Sequence, residues 1–245
     1  MALEALAARL QYYADLGDAD RDQLLALGGK PRGFAANAEL VSAGEPMDAV
    51  LVMREGWAAR YKELEDGRRQ ILNILLPGDI FDLQVLVAAE ADHGVFAITA
   101  GSLYAIPPGA VRDLLAGSGA LTMAFWWTQV QEEAFLREQI VRNGRQSARE
   151  RIGHLLLELH RRAQIVNLAN GDAMRLPMTQ TQIADTLGLT PIHTNRVLRR
   201  LVREGYIETN RQWIRFVDAD ALAAICDFDP AYFHLDAFRM RLGRG

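Results

Sequence analysis

The segment MTQTQIADTLGLTPIHTNRVLRRLVREGYIE, residues 178–208, decides how the rest of this 245-residue chain is read. Its apolar residues recur at helical spacing in two runs, separated by Gly188-Leu189-Thr190. Thr179 stands where the first helix needs an N-cap, and Ile183, Ala184 and Leu187 form the stripe that helix buries. Gly188 supplies a turn residue free to take positive φ, and Leu189 plugs the angle between the helices. Thr190-Pro191 opens the second helix as N-cap and first residue, because a proline there loses no hydrogen bond it would otherwise make. Helical spacing turns Thr194, Val197, Leu198, Leu201 and Val202 inward. It leaves Ile192, His193, Asn195, Arg196, Arg199, Arg200 and Arg203 on or near the outward side. After Gly205, YIETNRQWIRF (206–216) reads as a two-stranded wing with Asn210-Arg211 at its tip.

An α-helix fits the major groove of duplex DNA, where arginine pairs with guanine and asparagine with adenine. Base reading is therefore expected from Ile192, His193, Asn195 and Arg196. Helix-start hydroxyls and flanking arginines meet phosphates, which assigns Thr179, Gln180, Thr181, Thr190, Arg199, Arg200 and Arg211 to the backbone. Helix pairs of this shape also occur as structural elements. Here cap, turn glycine, proline, basic face and wing coincide, and double-stranded DNA is the expected partner.

The charges are placed to match. Residues 145–215 carry twelve arginines, no lysine and six acids, a surplus of six positive charges. The remainder of the chain then stands at −10 within an overall −4. A basic segment on an acidic body attracts phosphate without general stickiness, although a solvated arginine surface has the same composition. The apolar stretches are broken well short of a membrane span, and the start MALEALAARLQYYADLGDAD is acidic. One cysteine, Cys226, makes no internal disulfide, and its setting LAAICDF reads as a buried helix end. Cytoplasmic residence without membrane contact is expected.

Outward from the segment, Ser147-Ala-Arg-Glu150 is a capping box, and Ile152, Leu155, Leu156 and Leu159 give the following helix one buried face. NLANGDAMR (167–175) reads as a hairpin or loop. Before the box, residues 121–141 hold no proline or glycine and form a helix of about six turns, interrupted at Asn143-Gly144. Met123, Trp127, Val130, Ala134 and Val141 make a near-heptad stripe on it, with Trp126, Leu136 and Ile140 alongside. Self-pairing into a homodimer is favoured over packing on the chain's own body. Nearer the start, AVLVM (49–53), WAARY (57–61), ILNILL (71–76) and VFAITA (95–100) are short strand-like runs. Gly44, Gly56, Gly67 and Gly78 punctuate them at intervals of 12, 11 and 11 residues. Short helices precede them, and another (109–116) follows Pro107-Pro108.

The fold expected is α+β: an antiparallel β-roll of jelly-roll, cupin-like form, a long dimerisation helix, and a winged helix-turn-helix. The boundaries read as 1–117 for the roll, 118–145 for the helix and hinge, 146–217 for the winged module, and 218–245 for a helical tail. The aromatics of FDPAYFHL (228–235) have a surface to cover, on the domain or on a second copy.

This order of parts resembles the CRP/FNR superfamily of bacterial regulators. The likeness covers about residues 10–217 and rests on Gly44, Gly56, Gly67 and Pro77-Gly78-Asp79, on RERIGHLLLEL, and on the quoted segment. It implies a homodimer joined through the long helices, recognition helices one duplex turn apart on a near-palindrome, control from the roll, and a possible contact with RNA polymerase. Members that bind cyclic nucleotides carry Gly-Glu and Arg-Ser to clamp ribose and phosphate. Here Asp82-Leu83 and Gly94-Val95 are aligned with them, so cyclic AMP is disfavoured. Those four residues and Trp127 are the candidates around any effector, whose identity stays open. The single cysteine disfavours an iron-sulfur cluster and a cysteine-ligated haem.

Two other classes compete with this reading. A cupin-like metal-dependent enzyme needs about three His or carboxylate ligands converging in the roll, and only His93, read as a loop residue, lies there. No H-x-H or H-E-x-x-H spacing exists, so no catalytic residue and no metal ligand is expected. A ligand-binding module acting on a protein partner leaves the wing and its arginines without a use.

Overall fold

The computed structural model describes residues 3–87 and 90–235. Along the chain run α1 (Glu4–Leu10), α2 (Asp18–Ala26), β1 (Arg32–Phe34), β2 (Glu39–Val41), β3 (Val50–Glu55), β4 (Ala58–Glu63) and β5 (Arg69–Leu75). Next come β6 (Ile80–Phe81), a 3-10 turn (Leu83–Leu86), β7 (Gly94–Ala97), β8 (Gly101–Ile106), α3 (Pro108–Gly117) and α4 (Gly119–Arg145). The remainder is α5 (Ala148–Ile165), β9 (Ala169–Asn170), β10 (Ala173–Arg175), α6 (Gln180–Leu187), α7 (Pro191–Arg203), β11 (Ile207–Asn210), β12 (Trp213–Phe216), α8 (Ala219–Cys226) and a 3-10 turn (Pro230–Phe233). Contacts divide it into two compact units: Met1–Tyr61, Ile74–Glu133 and Phe233–Gly245 in one, Lys62–Asn73 and Ala134–Tyr232 in the other.

The first unit holds the expected roll. Two four-stranded antiparallel sheets have the orders β1-β8-β3-β6 and β2-β7-β4-β5. Leu51 and Met53 of β3, Phe81 and Leu103 pack with Ala58, Leu75 and Val95 to form the core cluster. The alternate residues Val50 and Val52, with Tyr104 and Ile106, meet α1, α3 and the start of α4 in a second cluster. Both faces of β3 are thus covered, which is why AVLVM reads as a continuous apolar run and not an alternating one. The four punctuating glycines all take positive φ, between 80° and 89°. Strands β1 and β2 carry no comparably apolar run and were not legible in the sequence, whereas β8 holds the run Leu103–Ile106, which the reading did not single out.

In the second unit, α5 is capped as expected, with Glu150 N–H donating to Ser147 Oγ and Ser147 N–H to Glu150. α5 packs on α7 and α8, while β9 to β12 form one sheet of order β11-β12-β10-β9. The NLANGDAMR segment is therefore a hairpin that widens the wing. Gly153 lets α8 approach: a Cβ there would stand 2.2 Å from Cys226 Sγ.

Three expectations are corrected. Asn143-Gly144 does not break the long helix, which continues to Arg145; the chain leaves helical geometry only at the Ser147 cap. α8 packs on α5 as part of the winged module and is not a separate tail. The tip of the β4–β5 hairpin groups with the second unit because Gln70 and Asn73 hydrogen-bond there, to Thr186 O and Arg162. Of the tail, residues 236–245 lie outside the described residues.

The stripe on α4 also differs from its reading. Ala134 is buried, and Trp127 is half-buried with its ring stacked on Tyr13 and near His234, so neither faces outward. Met123, Trp126, Leu136, Ile140 and Val141 are the exposed apolar residues, with Val130 half-exposed among them. The cause lies on the opposite face, where Thr128, Gln131 and Arg142 are buried although polar. Thr128 donates to Phe125 O, Gln131 meets Arg9 and Phe233 O, and Arg142 pairs with Glu158.

Candidate nucleic-acid interface

Local chemistry sets both helices of the motif. Thr179 Oγ1 accepts the Gln182 N–H at 3.1 Å, and the Gln182 side chain accepts the Thr179 N–H at 2.8 Å. Gly188 closes α6 at φ 63°, and Thr190 Oγ1 caps α7 by accepting the His193 N–H at 3.2 Å. The C-terminal carbonyls of α6 are also satisfied: Thr186 O accepts from Gln70 and Asn143, and Leu187 O from Arg151. These side chains tie down the C-terminal end of α6, on which α7 packs.

Thr194, Val197 and Leu201 are buried as expected, and Leu198 is half-buried. Val202 is a correction: it is exposed, since one further residue carries the helix surface past its contact with the unit. Ile192, Arg196, Arg199, Arg200 and Arg203 are exposed, whereas His193 and Asn195 are half-buried. Among the phosphate candidates, Thr179, Gln180, Thr181, Thr190 and Arg211 are all exposed. Arg211 sits at the wing tip with φ 52°.

A groove of about 1030 Å³ joins these parts. Ile192, Asn195, Arg196 and Arg199 border it from α7, Thr179 and Gln180 from α6, and Arg211 and Trp213 from the wing. Not every arginine is equally available. Arg200 donates to Glu204 at 2.7 Å, and Glu204 also pairs with Arg149; the Arg200 hydrogen bond, first among these contacts, holds the Glu204 carboxyl below the usual range. Arg199, Arg203 and Arg211 form no ion pair among the described residues. Arg196 Nη2 lies 3.5 Å from His193 Nδ1, a weak contact that leaves the guanidinium facing outward. Reading by residue type missed Trp213 and Gln212, which line the groove. The alternation in β12, with Trp213 and Arg215 out and Ile214 and Phe216 in, carried that signal.

The residues singled out in the roll do not form a cyclic-nucleotide clamp. Asp82 is buried in a left-handed conformation, and its Oδ1 lies 3.0 Å from Nε2 of His93. Nδ1 of His93 lies 2.8 Å from Asp92. His93 is in a loop as expected, yet buried between two carboxylates, and it, not Gly94 or Val95, is the residue brought to Asp82. Val95 is buried in the core cluster, and the space beside Gly94 is filled by the Tyr61 ring, 2.5 Å from where a Cβ would be. Leu83 packs against the helix-side cluster. A cyclic nucleotide's phosphate would meet carboxylates at these positions, so these residues do not fit it. Among the described residues, no group of three or more His, Cys, Asp or Glu is placed to hold a metal, and no helix is long and apolar enough to cross a membrane.

A β-roll unit joined to a winged helix-turn-helix that presents a basic groove is the build of a DNA-binding transcriptional regulator. The profile of the Crp-like helix-turn-helix domain matches residues 150–225, and that of the cyclic nucleotide-binding domain matches residues 31–118. The nitrogen fixation regulation protein FixK of Azorhizobium caulinodans is 30% identical over 185 residues, 76% of this chain and 74% of the relative. The transcriptional activatory protein AadR of Rhodopseudomonas palustris is 29% identical over 224 residues, 88% of this chain and 90% of the relative. Among solved structures, FixK2 from Bradyrhizobium japonicum superposes with a TM-score of 0.72 at 27% identity, covering 80% of this chain and 96% of that one. The chain belongs to the CRP/FNR superfamily of transcriptional regulators.

Proposed function

We propose that this regulator works as a homodimer, pairing through the exposed side of α4 and reading a near-palindromic operator with two copies of α7. The groove between α7 and the wing is the observation that carries this reading, because arginines with no ion pair among the described residues, the capping Thr179 and an exposed helix ridge converge there. Asn195 and Arg196 address base edges with Ile192 and His193 beside them. Thr179, Gln180, Thr181, Thr190, Arg199 and Arg211 address phosphates, and Arg200 joins them when it leaves Glu204. Control enters through the β-roll from a signal other than a cyclic nucleotide, a reading supported by the Asp82–His93–Asp92 arrangement. Work in the cytoplasm and contact with RNA polymerase follow from that role, and no catalytic step is needed.

Arg196→Ala tests the reading. The variant is expected to fold normally and to lose discrimination between an operator and random duplex in competition binding. The change in specificity should be on the order of tenfold or more, the worth of one bidentate arginine–guanine pair. Undiminished discrimination would refute the assignment of α7 as the reading helix.

A further inference from the structure

Ile192, the second residue of α7, is 84% exposed, and Pro191 before it is exposed too. The side of α7 that packs on the unit is made by Thr194, Val197 and Leu201, so Ile192 has no place in that core. It stands instead on the outward ridge, one turn from Arg196, and both line the groove. A β-branched apolar side chain at such a position is exposed at a cost that no packing among the described residues offsets. In the major groove the apolar feature that one base presents and the others lack is the 5-methyl group of thymine.

We propose that Ile192 reads a thymine 5-methyl group close to the base read by Arg196. This rests on the assignment of α7 as the base-reading helix and adds what one half-site must contain. Four residues of helix advance about 6 Å and one base pair about 3.4 Å, so the thymine lies within about two base pairs of the Arg196 contact. The restricted χ1 of isoleucine keeps the methyl-bearing face in place before binding.

The test uses the full chain and operators recovered by selection from a randomised duplex pool. Each thymine of a half-site is replaced singly by deoxyuridine, which removes the methyl group and leaves base pairing intact. One thymine, within about two base pairs of the position whose preference Arg196→Ala abolishes, is expected to lose about fourfold in affinity on this change. Ile192→Ala is expected to bind the thymine and deoxyuridine duplexes equally, while Ile192→Val keeps most of the preference. Circular dichroism confirms folding, which an exposed position should not disturb. Wild-type indifference to every deoxyuridine, or continued discrimination by Ile192→Ala, overturns the proposal. If instead Arg196→Ala selects the same site as wild type, the base-reading assignment of α7 fails, and the proposal fails with it.

Discussion

Single positions in the winged unit carry constraints that composition hides. Gly153 faces Cys226 across the α5–α8 contact, and Leu222 Cδ1 would lie 3.0 Å from an added Cβ. Gly153→Ala is therefore expected to destabilise the fold by about 1–3 kcal/mol, the usual penalty of overpacking, despite alanine's better helix propensity. Cys226→Ala in the same chain should recover part of that loss, as measured by urea unfolding. Burial also pushes the Cys226 thiol up to about 12, consistent with a packing role. His154 is buried beside Phe228 and Tyr232, and burial, followed by the nearby Arg142, lowers its pKa to about 4. The unfolded chain then binds a proton that the folded one refuses between pH 6.5 and about 4, so stability falls as pH drops through that window. The expected loss between pH 7 and 4.5 is about 2–3 kcal/mol. His154→Leu should show a correspondingly shallower loss in unfolding measured at several pH values; an unchanged pH dependence would remove His154 from the account.

At the scale of elements, α4 shows why a helix can be legible while its orientation is not. Of its 27 residues, 121–141 were predictable from the lack of breakers, while the glycines at 119 and 144 hid its two ends. The side it turns inward includes Thr128, Gln131 and Arg142, whose hydrogen bonds within the chain permit burial. Hydropathy took Trp127 and Ala134 as outward, when the outward seam runs through Met123, Trp126, Val130, Glu133, Arg137 and Ile140 at alternating spacings of three and four. Trp126 is 65% and Ile140 72% exposed, large apolar side chains of the kind a second copy of the helix would cover. If the proposed pairing through α4 holds, Ile140→Glu is expected to sediment as a single-copy species where the wild type sediments as a dimer, and to weaken operator binding with it. Retention of dimer mass would place the pairing surface elsewhere. By contrast α6 and α7 matched their reading closely, because caps, the turn glycine and a first-position proline act over a few residues.

For the molecule as a whole, the separation of charge matters more than the net value of −4. The arginine-rich stretch contributes exposed guanidinium groups at Arg199, Arg203 and Arg211 that form no ion pair among the described residues, so binding to duplex should release counterions and weaken steeply with salt. Arg211→Gln is expected to flatten the plot of log affinity against log salt by about 0.9 for each phosphate that is no longer neutralised, and to do so equally on operator and random duplex. A slope unchanged by the substitution would show that the wing tip does not reach the backbone.

Residue order alone was enough for the parts list: glycine-punctuated strands, a long helix, a capped helix-turn-helix and a wing, since each is encoded by contacts a few positions apart. Packing between distant segments settled the rest. Gln70 and Asn143 meet at Thr186 O, Arg9 reaches Gln131, and His93 is enclosed by Asp82 and Asp92. Polar side chains such as these are buried only when a partner from elsewhere in the chain satisfies them, and no local pattern of hydropathy announces where that partner will stand.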